Sequence, residues 1–309
     1  MAGRAALVGT GLIGGSIGMA LRRQGWHVCG VDLDRDRAER ALELGALDAV
    51  GRDPSADVTF VATPVGAVAD LARAVLADTS GVVTDVGSVK GPIVRALDDA
   101  RFVGGHPMAG SEQEGVDGAR PDLFEGAVWV LTPDDRTDET AYTTVRSTVS
   151  SFGAEVVAIP PDRHDALVAI VSHVPHLTAA TLMALADQRS ADHRALLRLA
   201  AGGFRDMTRV AAGHPGIWPD ICAENRDAIV DTLDRLIGEL GAMRDVVVGG
   251  DRDALLERLR TARAARANLP VRFSRPDQLT ELRIPVPDRP GALAEVTTLA
   301  TELDVNIAD

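Results

Sequence analysis

Ala5-Ala6-Leu7-Val8-Gly9-Thr10-Gly11-Leu12-Ile13-Gly14 is the stretch on which the fold turns. The first four residues, all apolar, make a short strand, and the six that follow match G-x-G-x-x-G. Ile13 to Arg23 then reads as a helix that stops at Gly25. In that setting Gly9 permits a tight turn, Gly11 lets a pyrophosphate approach the backbone, and Gly14 lets the helix lie close to the sheet. The helix start offers free N–H groups and a positive dipole end to phosphate. Gly9, Gly11, Leu12, Ile13 and Gly14 are therefore the expected nucleotide-binding residues of the loop. In a chain with 30 glycines the pattern alone says little; the strand before it and the helix after it give it meaning.

Working outward, the next strand, His27 to Val31, ends at Asp32. A carboxylate at this distance beyond the glycine loop accepts hydrogen bonds from an adenosine ribose and repels a 2′-phosphate, which favours NAD over NADP. Arg35 and Arg37 stand close enough to blur that preference. The alternation continues. Val58 to Ala62 is an apolar strand that breaks at Thr63-Pro64, with a helix over about Gly66 to Leu76, and Val82 to Val86 is a strand that breaks at Gly87-Ser88. A helix starts near Pro92, and Ala127 to Leu131 and Glu155 to Ile159 add two strands with a helix between them. Strands spaced by helices imply a parallel, doubly wound sheet with room for one reversed edge strand. The loops after Ala62, Val86 and Val103 then open on its carboxyl edge, where Thr63 joins the expected cofactor contacts.

In that sheet Arg101-Phe102-Val103 reads as a strand, and Gly104-Gly105-His106-Pro107-Met108-Ala109-Gly110-Ser111-Glu112 reads as the turn that follows it. A histidine there has its backbone fixed by the sheet and its ring free to face the ligand cleft. Ser111 and Glu112 lie in the same loop.

The chain's totals narrow the partners. With 309 residues it should hold two domains and a fragment of a third. A net charge of −13 argues against a nucleic-acid or anionic-membrane surface, so an anionic substrate must be held by a few placed cations. Lys90 is the only lysine. Cys29 and Cys222 have no metal-site spacing and read as reduced thiols. No apolar run long enough to span a bilayer and no leader pattern is expected, which points to a cytoplasmic protein.

After Pro160-Pro161 the character changes. No strand is expected from Asp162 to about Asn268, and helical periodicity takes over: Leu167, Ile170, Val171, Val174 and Leu177, then Ile229, Leu233, Leu236, Ile237 and Leu240. Helices this apolar should bury surface against a second copy of the chain. Three segments interrupt them: Ser172-His173-Val174-Pro175-His176, Gly203-Phe204-Arg205-Asp206-Met207-Thr208-Arg209, and Trp218-Pro219-Asp220. Two histidines three apart could share a metal, but Pro175 perturbs that turn and no HExxH or cysteine partner follows, so no metal is assigned. Asp206 and Arg209 are one turn apart and suit either a surface pair or a substrate site. Beyond a linker at 270–277, Leu279 to Val286 alternates like a strand, Asp288-Arg289-Pro290-Gly291 is a turn, Ala292 to Leu303 is amphipathic, and Val305-Asn306-Ile307 starts another strand. The expected division is a nucleotide-binding domain over 1–160, a helical substrate-binding and dimerisation domain over 161–274, and a partial α+β unit over 279–309.

Taken together, Gly9-x-Gly11-Leu12-Ile13-Gly14-Gly15-Ser16, Asp85-x-Gly87-Ser88-Val89-Lys90, Gly105 to Glu112, Ser172-His173-x-Pro175-His176 and Gly203 to Arg209 followed by Trp218 resemble the prephenate/arogenate dehydrogenase family of tyrosine biosynthesis. The tail from Leu282 resembles the start of an ACT domain, without its second half. The resemblance implies a Rossmann-type doubly wound sheet followed by an all-α domain. It also implies NAD-dependent oxidative decarboxylation of prephenate, or of arogenate as the alternative. His106 would take the hydroxyl proton, and Ser88 would hydrogen-bond that hydroxyl. Arg209 would pair the ring carboxylate, His176 and Ser111 would contact the side-chain end, and Glu112 would pair Arg209 or gate the cleft. A β-hydroxyacid dehydrogenase shares the outline, but its catalytic lysine lies in the helical half, where this chain has none. A non-catalytic NAD-binding sensor dimer would need neither His106 nor Arg209.

Overall fold

The computed structural model describes residues 3–111, 113, 115–190, 197–269, 286, 287, 289 and 291–302. Eight strands, β1 (Arg4–Val8), β2 (His27–Val31), β3 (Ala49–Val50), β4 (Val58–Val61), β5 (Val82–Asp85), β6 (Phe102–Pro107), β7 (Val128–Thr132) and β8 (Glu155–Ala158), form one sheet in the order β3-β2-β1-β4-β5-β6-β7-β8. The first six are parallel, in the order of a dinucleotide-binding sheet, so the crevice between β1 and β4 is the point where strand order reverses. The reversal is larger than the single edge strand expected: β7 runs antiparallel to β6, and β8 follows β7.

Helices α1 (Leu12–Arg23), α2 (Arg35–Glu43), α3 (Val65–Asp78), α4 (Gly91–Ala96) and α5 (Glu139–Ser150) connect the strands. Asp34 and Asp138 cap α2 and α5 by accepting the N–H of Asp36 and Ala141. One core gathers Leu7, Ile17, Leu21, Val28 and Leu47 with the aromatic cluster Phe60, Phe124, Trp129 and Phe152. The other gathers Val61, Val68, Leu76, Val83 and Ile93 and takes in Ala169, Val174, Ile221 and Ile229. The helical half therefore shares a core with the sheet, and Met1–Ala265 is one compact unit.

That half is built from α6 (Pro161–Val168), α7 (Val174–Ser190), α8 (Gly202–Thr208), α9 (Trp218–Glu224), α10 (Arg226–Gly249) and α11 (Arg252–Ala267). Its described residues contain no strand, as the sequence predicts. Between α6 and α7, residues Ala169–His173 form a turn of π-helix. The wider turn shifts the phase of the apolar stripe. Leu167, Ile170 and Val171 of the periodic stripe are exposed, while His164, Asp165, Val168, Ala169, His173 and Val174 are buried. The continuous run 161–189 is long and apolar enough to cross a bilayer by length and composition, against the expectation that no run would be. Its buried face nevertheless carries two histidines and an aspartate bonded to the protein's own groups.

Arg266–Asp309 is a second unit. Its described part holds α12 (Ala292–Glu302), close to the predicted helix, with Arg289 forked onto Glu295 at 3.0 and 2.7 Å. Apart from Val286, the predicted strand 279–286 lies outside the described residues, as do 305–307 and Glu112.

Candidate active site

At the nucleotide crevice, Gly9 has φ +95°, and a Cβ there would run into the carbonyl of Ala62. A Cβ on Gly14 would strike the carbonyl of Gly9, whereas one on Gly11 would meet nothing within 4 Å. Gly11 thus borders open space at the start of α1, the cradle a pyrophosphate needs. Asp32 stands at the end of β2. Its Oδ2 accepts Thr10 N at 2.8 Å and Thr10 Oγ1 at 3.2 Å, its Oδ1 accepts Asp34 N at 3.1 Å, and Arg37 Nη1 is 3.8 Å away. The carboxylate is locked to the glycine loop and keeps acceptor capacity on Oδ1. Thr63, just past β4, carries a buried hydroxyl with no hydrogen-bond partner. A buried hydroxyl left open costs free energy unless a ligand uses it. These residues fit a bound dinucleotide.

His106 is placed differently from the sequence reading. The strand does not end at Val103 but runs on to Pro107, with His106 opposite Val130 and Pro107 opposite Trp129. The two glycines serve close approach, not a turn: a Cβ on Gly104 would strike Thr132 Oγ1, and one on Gly105 would lie 2.7 Å from Asp85 O. The ring is not free either, since His106 is only 8% exposed. Its Nδ1 lies 2.9 Å from Nε2 of His164, whose Nδ1 lies 2.8 Å from Asp165 Oδ1. Asp165 also accepts Lys90 N and Gly91 N, both at 2.7 Å, so α6 is moored to the start of α4. Burial, then the neighbouring His164, Lys90 and His173, push the His106 pKa well below 6.5 and keep its ring neutral.

Beneath it, the Lys90 ammonium is fully buried, paired with Asp85 and bonded to Gly105 O at 2.8 Å. Asp85 in turn accepts Gly87 N at 2.9 Å and Gly105 N at 3.1 Å. The pair fixes β5 and the Gly87-Ser88 loop to β6, so Lys90 is a strut for the site and not one of the cations that could hold an anionic substrate. Burial lowers its pKa and Asp85 opposes that shift.

The network continues into the helical half. Asn225 Nδ2 donates to Asp165 O at 2.9 Å and reaches His173 Nδ1 at 3.1 Å. An amide N–H there makes His173 Nδ1 the acceptor and places the ring proton on Nε2, which is buried without a partner. His173 therefore has no lone pair left to act as a base, and burial lowers its pKa to about 4. Trp218 meets the His173 ring edge-on and stacks on His176 at 3.8 Å and 19°. His173 and His176 thus share Trp218, the first set T-shaped to it and the second stacked on it. Burial also lowers the His176 pKa. A Cβ on Gly213 would lie 3.6 Å from His176 Cε1, which brings the segment after the 3₁₀ turn Arg209–Ala212 against that ring. Arg209 itself is exposed. The Asp220 carboxylate sits over Gly66 at the start of α3, closing the helical half onto the β4 loop. Ser88 is half-buried, and Ser111 is exposed with its hydroxyl accepting Gln113 N at 3.1 Å.

His106 thus lies in β6 and Ser88 in the loop after β5, while His176 and the Arg209 turn belong to the helices. Sequence reasoning missed His164, Asp165, Asn225 and the burial of Lys90. One signal was available: His164 is four residues before Val168 on one helix face. The phase shift at Ala169–His173 hid it.

Residues 17–158 match the family described as prephenate dehydrogenase, nucleotide-binding domain, and 160–261 match prephenate dehydrogenase, dimerization domain. The prephenate dehydrogenase of Bacillus subtilis is 34% identical over 98% of this chain and 86% of its own length. The cyclohexadienyl dehydrogenase of Zymomonas mobilis is 34% identical over 85% and 95%. Among solved structures, the prephenate dehydrogenase of A. aeolicus in complex with hydroxyphenyl propionate and NAD+ superposes with a TM-score of 0.81 at 31% identity, covering 87% of this chain and 98% of that one. Synechocystis arogenate dehydrogenase gives 0.75 at 29%, covering 86% and 100%. With its sheet order, its glycine cradle and its matches over nearly the whole length, this chain is a dehydrogenase and belongs to the prephenate dehydrogenase family.

Proposed function

We propose that this enzyme converts prephenate to 4-hydroxyphenylpyruvate with NAD, by oxidation at C4 and loss of CO2 from C1. The observation that carries the reading is His106: a histidine fixed in β6 of the dinucleotide-binding sheet and held neutral by burial. Bound NAD supplies the hydride acceptor. The chain's own residues do the rest. His106 accepts the hydroxyl proton, which needs a ring with a free lone pair at operating pH. Ser88 hydrogen-bonds the hydroxyl from the loop after β5. Arg209 pairs the ring carboxylate through its planar fork. His176 and Ser111 contact the side-chain end, with Glu112 beside them. Gly9 to Gly14 and Thr63 hold the cofactor, and Asp32 favours NAD by its charge, with Arg37 close enough to narrow the margin.

The substrate then lies between a sheet domain of 1–160 and a helical domain of 161–274. The helical domain also forms a homodimer in the cytoplasm, because Ile170, Val171, Ile237, Leu240, Val247 and Val248 leave apolar surface uncovered. Absorbance of NADH on mixing protein, NAD and prephenate tests the reading, with arogenate and NADP in parallel. Faster turnover of arogenate than of prephenate would assign the substrate to the amino form, and no turnover of either would refute the reaction.

A further inference from the structure

With both imidazoles neutral, the buried chain Asp165–His164–His106 has one consistent arrangement of protons. Asp165 spends its oxygens as acceptors, on Lys90 N, Gly91 N and the His164 ring. A neutral His164 must therefore present Nδ1–H to that carboxylate, because a lone pair there would face another lone pair. Its Nε2 is then an acceptor, and the group 2.9 Å away is His106 Nδ1. A bond at that distance between two ring nitrogens needs one proton, and it has to come from His106. With Nδ1 protonated, neutral His106 carries its lone pair on Nε2, the nitrogen remote from His164. The two rings meet at 75°, an edge-on geometry that keeps the contact to these two atoms.

We infer that His164, oriented by Asp165, is a positioning residue that fixes the tautomer of His106 and makes Nε2 its basic atom. The inference rests on the reading of His106 as the proton acceptor. It adds which nitrogen accepts and what holds it ready. When the substrate O–H proton moves to Nε2, Nδ1–H stays bonded to His164, and the positive charge formed is two links from the Asp165 carboxylate. A base locked in the wrong tautomer has no lone pair to offer, and loss of this kind of control is worth several powers of ten in rate. His164 thus does for His106 what a ring-orienting carboxylate does for a catalytic histidine, with a second imidazole as spacer.

The deciding measurement is a long-range ¹H–¹⁵N spectrum of the full chain labelled in histidine, with NAD present, which reports the protonated nitrogen of each ring without reference to activity. The expected result is Nδ1–H for both His106 and His164 and Nε2–H for His173. The His106 signals are followed against pH alongside those of His164 and His173, with Lys90, Asp85 and Asp165 as the fixed charges packed around them. His106 as the Nε2–H form in the wild type would overturn the inference with no variant needed.

Two substitutions extend the test. His164→Met removes the acceptor and should let His106 drift to Nε2–H, with kcat down roughly 10²–10⁴-fold and KM little changed. His164→Gln offers an amide oxygen near the lost Nε2 and should restore Nδ1–H and most of kcat. If His164→Met keeps both the Nδ1–H form and the wild-type kcat, His164 does not set the tautomer. If the wild type shows Nδ1–H while His106→Asn retains full kcat, the tautomer inference stands and the assignment of His106 as base fails.

Discussion

The residue that separates this site from a plain nucleotide fold is His106. His106→Asn keeps a hydrogen-bonding group but cannot take the proton, so kcat should fall roughly 10²–10⁴-fold. NAD affinity should stay near wild type, because the proposed cofactor contacts lie on the glycine loop, Asp32 and Thr63; equilibrium titration with NAD checks this. The pH sign follows from the depressed pKa. The ring must be neutral to act, so activity should hold as pH falls through 6.5 and decline only below it. A kcat limb above that value would point to a different group. Arg209 is argued on other grounds, as an exposed cation on a turn beside His176. Arg209→Ala should raise KM strongly, with about 2–5 kcal/mol at stake once substrate has desolvated the pair, and Arg209→Lys should recover part of it. An unchanged KM would return Arg209 to an ordinary surface role. Both residues stand in distinctive local motifs, which is why the sequence offers them as candidates. It does not offer His164, Asp165 and Asn225, because what matters in them is a contact across 58 or 60 positions of chain.

At the level of elements, the β-α-β opening could be read almost to the residue: β2 falls on the predicted span and β1 and α1 start within one residue of it. Strand, glycine turn and helix are set by local sterics, which a sequence displays directly. Two elements misled for physical reasons. Gly104 and Gly105 have the composition of a turn but serve the close passage of β6 between β5 and β7, a demand set by neighbouring strands. The π-turn at Ala169–His173 inserts extra backbone that no periodicity count anticipates, and it turns Ile170 and Val171 outward while bringing His173 in. Asp32 follows directly on β2 and is no loop ornament, being tied to Thr10 in the glycine loop after β1. Asp32→Ser should therefore weaken NAD and narrow its advantage over NADP. Equal kcat/KM for the two cofactors in the wild type would defeat that assignment.

For the whole molecule, the outward face of α10 matters most, since Ile237, Leu240, Val247 and Val248 are exposed on this one long helix. Surface of this kind favours a second copy of the chain. Sedimentation should show a dimer at micromolar concentration, and Ile237→Asp with Leu240→Asp should shift it towards monomer. A stable, fully active wild-type monomer would rule the arrangement out. The strut beneath the site has a consequence for chemical labelling. The chain's single lysine is sealed at 0% exposure against Asp85, so amine-directed reagents have no side-chain target while the fold is closed. Acylation of Lys90 must wait for the molecule to open. It would also remove the charge that Asp85 requires, and a buried charge left unpaired is strongly destabilising. Each labelled molecule should thus fail to close again. Mass-resolved acylation of Lys90 would act as a ratchet that counts opening events one chain at a time, at a rate that stops rising with reagent concentration once opening is limiting.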